Sequence, residues 1–197
     1  QSAIETKNKL IKAALKLLKE NGLNSINVEE ITKEAGVAKG TFYVYFKRKE
    51  DIIAEYSRHP FKEIDDELKN MQDTNLIDKL TYYFHRFMQC VEEPGINICR
   101  EWIKAVIDPN NTQNSQDSGK WIYDFEMLKE ILQNAVQNNE LKKNTPVELL
   151  THMIISQLYG MMTCWCMSDG QFEPLEWTER FSEVQIKTIL EAYITNK

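Results

Sequence analysis

The chain has 197 residues, of which 42% are hydrophobic and 27% are charged, proportions that suit a folded globular protein and argue against disorder. Glycine (7) and proline (5) are scarce, no apolar run is long enough to span a bilayer and no signal segment opens the chain, so we expect an all-α, cytoplasmic protein. The net charge of -6 argues against a uniformly basic nucleic-acid binder, but residues 1–58 hold 11 Lys+Arg and 8 Asp+Glu and are therefore basic.

Three short helices are predicted within the first 45 residues. The first covers residues 6–21, because apolar residues recur along it at helical spacing and Gly22 follows as a stop. The second begins after Asn27, which has a glutamate three residues later as in a capping box, and it ends at Gly36. The third covers residues 39–45. Two helices joined by a short turn that contains glycine have the outline of a helix-turn-helix.

A fourth, longer helix is predicted to begin near Lys49. We expect a kink or a break in it just before Pro60, because proline removes a backbone hydrogen bond and clashes with the preceding turn. The fifth helix should end at Pro94-Gly95, a pair that does not continue a helix. The change from a basic to an acidic composition, together with Pro60, predicts two domains, 1–58 and 59–197.

Four further helices bring the prediction to about nine. A short amphipathic helix covers residues 96–107, and the polar stretch 108–119 that follows it predicts a mobile loop. After a seventh helix, Thr145 should cap the eighth, which runs to about residue 168. The last helix should cover residues 174–194.

Residues 26–53 carry the most specific motif in the chain. They read INVEEITKEAGVAKGTFYVYFKRKEDII, with an Ala-Gly-Val turn, a Lys-Gly-Thr-Phe-Tyr helix start, Phe46, and a Lys-Glu pair at the start of the fourth helix. In this combination the stretch resembles the TetR family of transcriptional regulators over roughly residues 6–58. The resemblance implies an N-terminal three-helix helix-turn-helix domain, a C-terminal helical ligand-binding and dimerisation domain, and a repressor. Ala38 departs from the pattern, since the family often has serine as the cap there.

The third helix is the predicted DNA-reading element. Phe42 and Phe46 can pack inward, which leaves the opposite face for the major groove of double-stranded DNA. Lys39 suits guanine acceptors, Val44 suits a thymine methyl group, and tyrosine hydroxyls and a further lysine suit phosphates, although the tyrosines have packing as an alternative role. The predicted DNA-binding residues are Lys39, Gly40, Thr41, Tyr43, Val44, Tyr45 and Lys49.

The resemblance also implies a homodimer on a palindromic operator, formed through the last two helices, and a ligand among helices five, seven and eight. The predicted dimer-interface residues are Leu158, Met162, Phe181, Val184 and Ile189. The predicted ligand-binding residues are aromatic or methionine, which suits an apolar pocket: Tyr83, Phe84, Phe87, Met88, Trp102, Trp121, Phe125, Met161, Met162 and Trp165. Because the C-terminal part is acidic, we expect a small-molecule effector that is apolar and neutral or cationic.

Two other functions remain open at this stage. The chain has four cysteines without regular spacing, and Cys90 and Cys99, which flank the predicted turn, are the pair that would meet in a thiol-based redox-sensing regulator. Cys164 and Cys166 point about 200° apart on one helix and do not pair easily. The second alternative is a helical small-molecule-binding protein without a DNA role. An enzyme, a metal site and a cofactor are not expected, because the sequence has no paired Glu-x-x-His motifs, no phosphate loop and no zinc motif.

Overall fold

A computed structural model of the chain describes residues 2–22, 25–71, 74–107 and 118–195. Those residues form an all-α protein, as predicted; the β-type pairing among them is one isolated bridge between Leu141 and Ile194. The helices are α1 (Ala3–Asn21), α2 (Val28–Ala35), α3 (Lys39–Tyr45), α4 (Asp51–Asn70), α5 (Leu76–Glu92), α6 (Ile96–Ile107), α7 (Ser118–Gln137), α8 (Val147–Met167), α9 (Pro174–Phe181) and α10 (Lys187–Glu191).

The first helix begins three residues earlier than predicted because its cap lies outside the apolar repeat. The Ser2 side chain accepts a hydrogen bond from the backbone N–H of Glu5, whose carboxylate accepts one from the Ser2 N–H in return, each at 3.2 Å. Gly22 ends the helix with a φ of 72°, as the sequence indicated. The apolar side of α1 packs against α2, and both contribute to the core of the N-terminal domain.

The fourth helix is continuous, so a break at Pro60 is wrong, and a kink there stays a prediction. α4 extends from Asp51 to Asn70 and includes that residue. Apolar side chains on both sides of the proline are buried, with Ile52 and Ile53 before it and Phe61, Ile64 and Leu68 after it. Their burial stabilises the helix on each side, and this outweighs the local cost of the missing backbone donor. The proposed domain boundary at residue 58 therefore lies inside α4, which belongs to both parts.

The C-terminal part is arranged around α5, which packs against α4, α6, α7, α8 and α9. The predicted loop over residues 108–119 falls mainly on residues 108–117, outside the described residues, and α7 begins at Ser118. The predicted cap of α8 is wrong: Pro146 occupies the cap position, and the Thr145 hydroxyl donates instead to the Lys142 carbonyl at 2.5 Å. A proline cap offers no side-chain acceptor, so the first turn of α8 has no side-chain hydrogen bond there.

The last predicted helix is divided in the structure, so the residues that the structure describes form ten α-helices where about nine helices were predicted. A π-helical turn over Ser182–Ile186 separates α9 from α10. The chain then leaves the helix at Glu191, three residues before the predicted end, because Ile194 takes part in the bridge to Leu141. Among the described residues, no helix has both the length and the hydropathy needed to cross a membrane.

Candidate nucleic-acid interface and ligand site

The turn between α2 and α3 is held by local signals that the sequence makes visible. Asn27 and Glu30 form a reciprocal capping box at the start of α2, with hydrogen bonds of 2.8 and 2.9 Å. Gly36 ends α2 in the left-handed region at a φ of 66°, where a side chain would be strained. Ala38 then starts α3 without a side-chain cap. These residues set the direction in which α3 leaves the turn.

The inner side of α3 is anchored by two phenylalanines. Phe42 is fully buried and Phe46 is nearly so, and their ring centroids lie 5.6 Å apart. Both belong to the core that α1 and α2 supply with Leu10, Ala14, Leu18 and Ile31. This packing fixes the rotation of α3 about its own axis, because the rings cannot leave the core without exposing a large apolar area.

The opposite side of α3 faces solvent, and we call it the outward face: Lys39, Gly40, Tyr43 and Val44. Tyr43 is 54% exposed and Val44 is 76% exposed. Of the other predicted DNA-binding residues on α3, Thr41 and Tyr45 are half-buried, and Tyr45 packs against the core. The arrangement suits insertion of α3 into a groove, and the individual contacts stay predictions.

The two predicted DNA-binding lysines both have partners within the chain. The Lys39 ammonium pairs with the Glu29 carboxylate of α2. The hydrogen bond between them raises the pKa of Lys39 and lowers that of Glu29, so both stay charged. The Lys49 ammonium donates to the Ile26 carbonyl at 2.8 Å and is half-buried. Lys49 thus connects the loop before α2 to the start of α4.

Most of the predicted ligand-binding residues lie inside the C-terminal core. Tyr83, Phe84, Phe87, Met88, Trp102, Phe125, Met162 and Trp165 are buried, Met161 is half-buried, and Trp121 is 38% exposed. Rings from four helices meet in what we call the aromatic cluster, with centroid distances between 5.2 and 6.1 Å: Phe61, Tyr83, Phe87, Trp102 and Tyr159. Sequence reasoning missed Phe61 and Tyr159, because their inward position depends on how α4 and α8 pack against α5.

A buried acid lies at the edge of the aromatic cluster. Asp124 of α7 is 1% exposed, and its carboxylate accepts a hydrogen bond from the Tyr159 hydroxyl at 2.8 Å. The hydroxyl of Tyr83, which is completely buried, also lies close to the Asp124 carboxylate, although no hydrogen bond of normal geometry joins the two groups within the described residues. Burial and the nearby Asp124 charge raise the pKa of Tyr83 and of Tyr159 well above the usual range, so both phenols stay protonated. A polar group that enters the cluster could therefore accept a hydrogen bond from the Tyr83 hydroxyl in competition with Asp124.

The space in this region is small. A cavity of about 30 Å³ lies between α4, α5 and α6, lined among others by Ile53, Tyr56, Phe61 and Trp102. A larger cleft of about 370 Å³ between α4, α5 and α7 is open and lined by charged and amide residues such as Asp65, Lys69 and Glu130. The smaller cavity is lined almost entirely by apolar and aromatic side chains, which suits an apolar ligand, whereas the larger cleft has a mixed polar and apolar lining.

The predicted dimer-interface residues differ in their exposure. Leu158 and Met162 are buried within the chain itself, and Phe181 and Ile189 are half-buried. Val184 is 69% exposed. The structure shows other exposed apolar residues on the same two helices, which sequence reasoning missed because α8 is apolar all round: Leu149, Met153 and Met167 of α8, and Trp177 of α9. Their spacing on α8 places them on one face, away from α5.

The thiol pairing differs from the one that the sequence suggested. Cys99 of α6 contacts Cys166 of α8, with 3.3 Å between the two Sγ atoms. Cys90, on the other side of the turn from Cys99, is half-buried, and Cys164 is exposed. Closeness in the sequence suggested a contact between Cys90 and Cys99. Instead, packing of α6 against α8 brings Cys99 to Cys166, which is 67 positions away in the chain.

The sequence is similar to those of known proteins, both over the helix-turn-helix and over most of the chain. Residues 10–56 match the family model "Bacterial regulatory proteins, tetR family". The chain is 26% identical over 193 residues to the fatty acid metabolism regulator protein of Bacillus subtilis (strain 168), covering 91% of this chain and 93% of that protein. It is 40% identical to the regulator AcrR of Shigella flexneri over 55 residues, 28% of this chain and 26% of AcrR.

Solved structures share the fold over most of the chain. The transcriptional regulator FadR from Bacillus subtilis in complex with stearoyl-CoA superposes with a TM-score of 0.72 at 23% identity, covering 90% of this chain and 96% of FadR. The SmeT–triclosan complex gives a TM-score of 0.72 at 17% identity, covering 97% of this chain and 92% of SmeT. The similarity therefore extends from the α2–turn–α3 unit through the C-terminal helices.

Proposed function

We propose that this chain, whose residues 10–56 match the tetR family of regulatory proteins, acts as a transcriptional repressor: a homodimer that binds a palindromic operator and releases it when a small apolar ligand enters the C-terminal domain. The proposal assigns DNA binding to residues 1–58, and ligand binding and dimerisation to residues 59–197. The observation that supports DNA binding is the outward face of α3. Tyr43 and Val44 are exposed on this face, whereas Phe42 on the other side of the helix is fully buried.

The proposed contacts with DNA follow from that face. Val44 suits a thymine methyl group, Tyr43 suits a phosphate or base edge, and the lack of a side chain at Gly40 lets the α3 backbone approach closely. To contact DNA, the Lys39 ammonium has to leave the Glu29 carboxylate and bind an acceptor on the DNA. Its side chain is largely solvated, so it exchanges one charged partner for another. Residues 1–58 have a net charge of +3, so we expect affinity to fall as salt rises.

The proposed dimer uses the exposed apolar face of α8 and the π-helical turn that follows α9. Leu149 and Met153 of α8 and Val184 of that turn would be buried by a second copy related by two-fold symmetry. Met153→Lys tests this, because it places a charge on the proposed interface without disturbing the buried side of α8. Sedimentation should show a monomer for that variant and a dimer for the unchanged protein. Ile4→Lys, at an exposed position on α1, is the matched control and should leave the dimer intact.

The position of the small cavity supports a mechanism for release. Ligand pockets hold about 300–1,000 Å³, so the cavity of about 30 Å³ has to widen before a ligand fits. Its walls are α4 residues such as Ile53 and Phe61 on one side and α6 residues such as Trp102 on the other. Because α4 follows α3 directly, separating these walls would move the outward face. Two outward faces whose spacing no longer matches the operator would release it.

A long-chain acyl thioester is the first ligand to test. The proposal rests on the full-length similarity to the Bacillus subtilis fatty acid regulator and on the stearoyl-CoA in the FadR structure. The aromatic cluster would hold the acyl chain, and the Tyr83 hydroxyl would donate to its carbonyl oxygen. The buried Asp124 carboxylate favours a second candidate, an apolar cation, which would be attracted electrostatically to that group and to the ring faces.

The experiment begins with selection from a randomised duplex pool, which should enrich a palindrome. The enriched fragment is then bound to the protein and titrated with stearoyl-CoA, with stearic acid and with the lipophilic cation rhodamine 6G. Release by stearoyl-CoA supports the acyl ligand, and release by rhodamine 6G alone supports the cation. A ligand that binds tightly but leaves the operator bound would contradict the release mechanism. Failure to enrich any sequence at low salt would contradict operator binding itself.

A further inference from the structure

Two cysteines from distant parts of the chain form a contact pair. Cys99 is in the first turn of α6, and Cys166 is in the last turn of α8. Their Sγ atoms are 3.3 Å apart and share a hydrogen bond. A disulfide requires about 2.05 Å between the sulfurs, so the atoms would approach by only about 1.2 Å. Thiols at this separation can be joined by small rotations of the side chains.

The environments of the two thiols differ in a way that divides their roles. Cys99 is 3% exposed, whereas Cys166 is half-buried and can be reached from solvent. The Arg100 guanidinium donates to the Cys166 carbonyl oxygen at 2.9 Å and to the Asp169 carboxylate at 2.6 Å, which holds a positive charge beside Cys166. Partial exposure next to a cation is the setting in which a cysteine becomes reactive.

The pKa values of the two thiols are shifted in opposite directions. The hydrogen bond with Cys99 lowers the pKa of Cys166, and the Arg100 charge lowers it further against the opposing effect of burial. The same hydrogen bond, together with burial, raises the pKa of Cys99. Partial exposure and the Arg100 charge therefore favour the thiolate on Cys166 over a thiolate on the buried Cys99.

We propose that Cys99 and Cys166 are a reversible redox modification site that reacts with hydroperoxides. The Cys166 thiolate attacks one peroxide oxygen, the O–O bond breaks, and the other oxygen leaves as water or an alcohol after taking up a proton. Cys166 is then a sulfenic acid. The Cys99 sulfur attacks the Cys166 sulfur, the S–S bond forms, and the hydroxyl group leaves as water with the Cys99 proton. Two thiols and one hydroperoxide thus give one disulfide, one alcohol or water, and one further water.

The disulfide would join two helices with different neighbours. α6 packs against α1 of the N-terminal domain, where the Asn97 side chain donates to the Lys19 carbonyl at 3.4 Å. α8 packs against α7 and carries the proposed dimer face. A disulfide between Cys99 and Cys166 would therefore connect α6, which contacts the N-terminal domain, to α8, which lies in the C-terminal domain.

The reduced full-length chain is treated with hydrogen peroxide and compared with two single variants, Cys166→Ser and Cys164→Ser. In the unchanged protein the four titratable thiols should fall to two, and peptide mapping without reductant should recover a peptide pair joined through Cys99 and Cys166. Dithiothreitol should restore all the thiols. Cys164→Ser, two residues away on the same helix and exposed, should form the same link. Cys166→Ser should not.

A third variant, Cys99→Ala, gives a positive signal that does not depend on the loss of a link. In Cys99→Ala the sulfenic acid on Cys166 has no partner, so dimedone should label Cys166 after peroxide treatment. Four intact thiols after treatment, a link that uses Cys164, or a Cys166 that becomes irreversibly oxidised with no link to Cys99 would each overturn the proposal. These measurements read thiols and mass, so a negative result would leave the proposed operator binding untouched.

Discussion

Phe42 and Val44 lie two residues apart on α3 and should separate folding from DNA recognition. Phe42 is fully buried against Phe46, whereas Val44 is 76% exposed. Phe42→Ala removes a ring from the centre of the N-terminal core, a change that costs about 3–5 kcal/mol in other proteins. Whole domains are stable by only about 5–15 kcal/mol. We therefore expect the N-terminal domain of this variant to unfold at a clearly lower temperature, and operator binding to be lost with it.

Val44→Ala should instead leave the fold intact. Full burial of a valine contributes about 1.5–3 kcal/mol, so the quarter of Val44 that is covered contributes roughly 0.5 kcal/mol. The better helix propensity of alanine offsets a similar amount. If Val44 contacts a thymine methyl group, loss of two carbons at about 0.8 kcal/mol each weakens operator binding by about 1.5 kcal/mol, or roughly tenfold.

Two measurements distinguish these outcomes. Thermal unfolding followed by circular dichroism reports stability, and fluorescence anisotropy with the selected operator reports affinity. An equal loss of melting temperature in both variants would refute the assignment of Phe42 to the core and Val44 to the surface. Full operator affinity in Val44→Ala, at unchanged stability, would show that the outward face does not read DNA at this position.

Three further substitutions have defined outcomes. Asn27→Ala should lower the free energy of unfolding in urea by about 1 kcal/mol, as loss of a cap does, while Asn27→Ser keeps an acceptor and should be near the unchanged protein; equal losses would contradict the capping role. Glu29→Gln should raise operator affinity and steepen its salt dependence, because the Lys39 ammonium loses the carboxylate that competes with DNA for it. Fluorescence anisotropy at two salt concentrations checks this. An unchanged affinity would argue against a DNA contact by Lys39. Tyr159→Phe should lower the free energy of unfolding in urea by about 1.5–3 kcal/mol, since it removes a hydrogen-bond donor to the buried Asp124 carboxylate. The loss caused by Tyr159→Phe should be smaller when Asp124→Asn is already present. Additive losses in the double variant would rule out this coupling.

The N-terminal domain could be predicted closely because its signals are local. Asn27 caps α2 with a side chain three residues from its partner, and Gly36 is needed because of its own backbone angle. The bounds predicted for α3 are those of the structure. Ser2 lies outside the apolar repeat of α1, so the repeat by itself does not show where that helix begins.

The C-terminal domain was less predictable, because side chains there are placed by contacts between distant segments. α8 is apolar on all sides, so the sequence cannot say that Leu158 turns inward while Leu149 and Met153 turn outward. Pro60 indicated a break, yet the burial of Phe61 and Ile64 against the rest of the protein keeps α4 continuous.

The sequence by itself determined the helical class, the helix-turn-helix and the family resemblance, since each depends on residues that are neighbours in the chain. Only the tertiary structure decided which thiols meet, which tyrosines surround Asp124, and where space exists for a ligand. Those features arise where α4, α5, α6, α7 and α8 pack together, and the free energy that selects one packing is shared among many side chains rather than written in any short stretch.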